Sequence, residues 1–95
     1  MGKHTTYLKE AIKKKVQNEE GTTGQIIQRF RSKLGKSVTY LDDRLQEIDE
    51  IFKGVKHIQL DREKASLMKH KAYEIERMKD LEHLRDQGWR AEDEM

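Results

Sequence analysis

Val38, Leu41, Leu45, Ile48, Phe52 and Val55 recur at alternating steps of three and four, a spacing that puts all six on one stripe of an α-helix and on no single face of a strand. A chain carrying it must pack helix on helix. Upstream, Leu8, Ile12 and Val16 make a similar face over about three turns that Thr5 or Thr6 can cap, with Ala11 beside them. Ile26, Phe30 and Leu34 repeat every four residues behind Thr22-Thr23-Gly24-Gln25, where the Thr22 hydroxyl and the Gln25 side chain form a capping box. No proline occurs in the 95 residues, so nothing sharply breaks a helix. Val55 to Leu60 alternates, but no neighbouring segment could pair with it as a strand. The expected fold is all-α: a single domain over 1–95 with three to four helices.

Within that domain, 1–54 should form a compact helical core around Leu8, Ile12, Ile26, Phe30, Leu34, Leu41, Leu45, Ile48 and Phe52. Gly54 is either a stop or a soft point in a continuing helix, and Asp61 is a candidate N-cap for a long charged helix over 61–88. Gly88, with Trp89 folding back on Leu84, suggests a Schellman-type ending, and the acidic tail 89–95 should fray. A helix that long outruns anything the first helices can cover. Its apolar stripe is thin, interrupted by Lys64 and Lys71, and Lys71, Glu74, Arg77 and Asp80 read as a solvated ladder of alternating sign.

Charge divides the chain. Residues 1–37 hold nine Lys/Arg and three Glu, a net of +6; residues 38–95 hold eleven Lys/Arg and fifteen Asp/Glu, a net of −4. The asymmetry points to an anionic partner for the N-terminal half or to self-association. With 40% charged residues and mean hydropathy of −1.06, the core is small, and a partner chain or nucleic acid could complete its burial. No apolar run approaches the ~20 residues of a membrane span. Cysteine is absent, which fits a reducing compartment, so a soluble cytoplasmic protein with no membrane association is expected.

Leu34-Gly35-Lys36-Ser37 followed by Val38-Thr39-Tyr40-Leu41 resembles the turn of a helix-turn-helix protein over Gln25 to Leu45, with the turn at 34–38. Under that resemblance Gly35 permits the turn, Ser37 caps the recognition helix and Leu41 anchors it. Arg31 and Lys36 depart from the small and apolar residues usual at their positions. Lys13, Lys14, Arg29, Arg31, Lys33 and Lys36 would neutralise phosphates, while Thr39, Tyr40 and Arg44 would face the groove, with Asp42 and Asp43 opposing them. The first expectation is therefore a small regulatory nucleic-acid-binding protein.

The alternative is a protein–protein adaptor, inhibitor or assembly subunit, as a homodimer or with another protein. It would use Leu67, Ile75, Met78, Leu81 and Trp89 of the long helix. Enzyme chemistry is not expected. His4, His57, His70 and His83 are scattered without metal-ligand spacing, Asp80-Leu81-Glu82-His83 occurs once where di-metal bundles need it twice, and no glycine-rich phosphate loop is present. Neither a cofactor, a metal nor a small-molecule substrate is expected.

Overall fold

The structure, a computed structural model, describes residues 4–53 and 58–95. Three α-helices and a terminal 3-10 turn follow in order: α1 (Thr5–Gln17), α2 (Thr23–Phe52), α3 (Ile58–Asp86) and the turn Ala91–Glu94. The all-α expectation holds. At 1.5 Å per residue α2 and α3 each run about 45 Å, and they pack along each other in a rod of 56 × 23 × 20 Å. Their ion pairs set the direction. Arg31 meets Glu82, Asp42 meets Lys71 and Asp49 meets Lys64, so numbers rise on α2 as they fall on α3 and the helices are antiparallel.

The turn expected at 34–38 does not form. α2 runs unbroken through Gly35 and Ser37, so at 34–38 there is neither the turn of a helix-turn-helix nor a Ser37 cap. Ile27, Leu34, Leu41 and Ile48 explain why: they keep seven-residue phase across the glycine and face α3 along its length, three of them buried and Leu34 half-buried. A mid-helix glycine costs only about 1 kcal/mol, less than the burial a break would forfeit. Gly35 has nothing within 4 Å of where a Cβ would sit, and the Thr39 hydroxyl donates back to its carbonyl at 3.0 Å.

Helix ends follow local chemistry more closely. Both halves of the Thr22–Gln25 capping box form. At the end of α3, Trp89 N–H donates to Leu84 C=O (3.1 Å) and Gly88 N–H to Arg85 C=O (3.0 Å), with Gly88 at φ 69°. These are the 6→1 and 5→2 bonds of a Schellman motif. Asp61 is not the cap; α3 is already helical at Ile58, and Asp61 sits in its first turn where the helix dipole favours a carboxylate. The stop at Gly54, together with Val55 and His57, lies outside the described residues.

The core gathers at one end of the rod. Leu8, Ile12 and Val16 of α1 close on Ile26 and Ile27 of α2, Leu81 and Leu84 of α3, and Ala91, with Phe30, Leu34 and Trp89 against them. α3 thus closes the core with its last turns. The acidic tail is docked, against expectation: Ala91 is fully buried and its N–H donates to Thr23 Oγ1. Glu92 caps the start of α2, and Glu94 pairs with Lys13 at 2.7 Å. Much of the charge asymmetry read from the sequence is satisfied within the chain.

Candidate functional site

Beyond α1, the rod thins to two helices. In that distal half the deeply buried apolar side chains among the described residues are Leu41 and Ile48. On the side of the hairpin that no α1 residue lines, Leu45, Met68, Ala72 and Ile75 form an apolar groove of about 580 Å³. Met68 is 55% exposed. Asp42–Lys71 and Asp49–Lys64 cross from helix to helix at its edges, the second pair at 2.6 Å. The strip is apolar at its centre and framed by ion pairs at its rim.

The residues expected at a partner interface separate into two groups. Leu67, Ile75 and Met78 are half-buried on α3 and remain reachable. Leu81 is fully buried in the chain's own core, and Trp89 packs on that core, its Nε1–H donating to Glu94 at 3.0 Å and Lys9 lying over its ring. Both are internal because the last turns of α3 fold against α1. Met68 and Ala72 were not anticipated. Their signal was available, since both lie at three- and four-residue steps from Ile75.

The cations expected to meet phosphate also divide. Lys13 is bound by Glu94 and Glu10, and Arg31 by Glu82 at 2.9 Å. Arg44 takes both oxygens of Glu63 (2.7 and 3.0 Å) and one of Glu47. These bonds hold the Glu63 carboxyl below its ordinary range and raise the Arg44 guanidinium further. Exposed are Lys14 on α1 and Arg29, Lys33, Lys36, Thr39 and Tyr40 on α2. Arg29, Lys33, Lys36 and Tyr40 follow at three- and four-residue steps on one face; Arg31, two residues from Arg29 and Lys33, lies on the far side. Arg29 also donates to the Glu20 carbonyl at 2.6 Å. Past Tyr40 the same face turns acidic at Asp43, Glu47 and Glu50, which limits it to a short basic patch.

The solvated ladder on α3 is likewise corrected at its centre. Glu74 is 6% exposed, in the seam beside α2, with His70 at 3.0 Å and Arg77 at 3.9 Å on Oε1 and no partner on Oε2. Arg77 lies between the Tyr7 and Tyr73 rings. Four residues separate Glu74 from Met78 and seven from Leu67 and Leu81, so helical phase places it among core positions despite its charge.

Among the described residues no group of three or more His, Asp or Glu is placed to hold a metal ion, and no helix is long and apolar enough to cross a membrane. No protein-family model, curated protein or solved structure matches this chain.

Proposed function

We propose that this chain is a non-enzymatic protein-interaction module, an adaptor or assembly subunit that binds a helical partner along the distal α2–α3 groove. The observation that carries this reading is the apolar strip of Leu45, Met68, Ala72 and Ile75, in a groove that no α1 residue lines. A helix laid in that groove completes a bundle, burying side chains that the two-helix section leaves wet. The test is a photo-crosslinking residue at position 68, compared with one at the exposed position 36 on another face. A discrete adduct from position 68 alone supports the reading; equal, diffuse labelling from both removes it.

A second reading keeps the nucleic-acid expectation in reduced form. Arg29, Lys33 and Lys36, with Tyr40 beside them and Lys14 exposed on α1, form a patch able to contact about three phosphates, which implies a salt slope near −0.9 per contact on duplex DNA. Fluorescence anisotropy with a mixed-sequence duplex and an RNA hairpin at ~50 and ~200 mM salt measures that slope directly. Binding that survives reversal of Arg29 and Lys33 to Glu would remove this reading.

A further inference from the structure

The open groove is the middle of a longer pattern. On α2, Arg31, Gly35, Val38, Asp42, Leu45 and Asp49 follow at steps of four, three, four, three and four. On α3, Lys64, Met68, Lys71, Ile75, Met78 and Glu82 follow at the same steps. Each set has heptad spacing, with charged residues at three of its six positions. It lies beside the seam that already joins the two helices, so each helix has two packing faces. The antiparallel register brings the stripes level with each other. Arg31–Glu82, Asp42–Lys71 and Asp49–Lys64 pair across them, and the same register sets Gly35 by Met78, Val38 by Ile75 and Leu45 by Met68.

We infer that the occupant of this face is a second copy of the chain, the two hairpins forming a four-helix bundle about a two-fold axis parallel to the rod. This inference rests on the protein-interaction reading above and names the partner. An axis in that direction lays α2 of one copy over α3 of the other at the same level. Every ion pair then meets its own reverse: Asp42 lies over Lys71 of the second copy and Lys71 over its Asp42, and the same holds for Arg31–Glu82 and Asp49–Lys64. Apolar levels meet apolar levels, with Leu45 over Met68 and Val38 over Ile75. All neighbouring helices run antiparallel, the arrangement of an up-down bundle.

The central charges favour this arrangement. A two-fold axis across the rod, centred on the same stripes, matches Arg31 with Asp49 and Lys64 with Glu82 but sets Asp42 on Val38 and Lys71 on Ile75, so the central Asp42–Lys71 pair gains no opposite charge from the second copy. Self-complementarity of one patch under one rotation is the requirement of an isologous dimer. Along the groove, from Asp42 to Asp49 and from Lys64 to Ile75, the surface is also free for it, because no α1 residue lines it. At Gly35 the space above the backbone is open, so a helix of the second copy meets no side chain there.

Sedimentation equilibrium of the purified full chain tests the inference. The expected result is a mass moving from 11.3 kDa toward twice that value as concentration rises. Met68→Asp, at a position already 55% exposed, should keep its helicity by circular dichroism while weakening association by roughly 30-fold or more. Asp42→Lys and Lys71→Asp should each dissociate alone, and an equimolar mixture of the two should recover a heterodimer, which a charge pair acting only within one chain cannot produce. A wild-type chain that stays monomeric, an unaffected Met68→Asp dimer or an unrescued mixture overturns the inference. If the wild type is monomeric but a crosslinker at position 68 still captures one discrete different protein, the second copy is refuted and the interaction module stands; if it captures none, both fall.

Discussion

Glu92 accepts two hydrogen bonds from Thr23, one from the backbone N–H at 2.9 Å and one from the hydroxyl at 2.7 Å. Thr23 Oγ1 in turn accepts from the buried N–H of Ala91 at 2.9 Å. A threonine in the first turn of α2 therefore holds the last residues of the chain, and the carboxylate sits at the positive end of a 30-residue helix. Thr23→Val keeps the shape but leaves the Ala91 N–H without a partner. We expect a loss of about 2 kcal/mol in urea unfolding, with the tail released first in amide exchange.

The same contact predicts an acid response. Hydrogen bonds from the Thr23 hydroxyl and backbone lower the Glu92 carboxyl from 4.5 to about 2. A carboxyl lowered on folding stabilises the native state above its ordinary value, and that contribution is lost as pH falls through the folded one. Glu94, lowered by Lys13 and the Trp89 N–H, acts in the same direction. Thermal melts should show Glu92→Gln less stable than wild type at pH 7. The gap should narrow from about pH 4.5 downward and close near pH 2. A gap independent of pH would show that the Glu92 charge does not contribute.

Gly35 distinguishes an unbroken helix from a turn. Within α2, Gly35→Ala removes backbone freedom from the unfolded chain and meets nothing within 4 Å, so in dilute solution it should stabilise by up to about 1 kcal/mol. At a turn requiring positive φ the sign would reverse. The shift in urea midpoint at unchanged slope reads the answer.

Glu74 occupies a core position with one carboxylate oxygen unpartnered. Glu74→Leu extends the column of Leu67 and Leu81 and removes that oxygen, at the cost of leaving Arg77 to its two tyrosine rings. Replacing both members of a buried ion pair by apolar residues is often neutral or stabilising, whereas removing one leaves the other uncompensated. The expectation is a loss of about 1–3 kcal/mol for Glu74→Leu in urea unfolding at neutral pH, recovered at least in part when Arg77→Leu is added.

Leu81 and Leu67, seven residues apart on α3, should behave differently on truncation. Leu81 is fully buried and Leu67 half-buried. Leu81→Ala should cost about 3–5 kcal/mol, enough to unfold much of a chain this small. Leu67→Ala should cost about 1–2 kcal/mol in monomeric protein. Guanidinium titrations of both variants separate a core role from a surface one.

Helical phase, the Thr22 capping box and the Gly88 ending were legible in the sequence because each depends on residues within a few positions of one another. The all-α class and the buried α1 face of Leu8, Ile12 and Val16 follow from the same local periodicity. Gly35 was misleading for the same reason: its neighbours match a turn locally, whereas the seam of Ile27, Leu34, Leu41 and Ile48 acts over the whole helix and prevails. Only the antiparallel register of α2 and α3 decided which charges are free. It brought Arg31 to Glu82 and Arg44 to Glu63, across 51 and 19 residues of chain, and it drew the acidic tail onto Thr23 and Lys13. Pairings between distant segments depend on how the helices dock. The pattern of each helix taken alone contains the faces but not their partners.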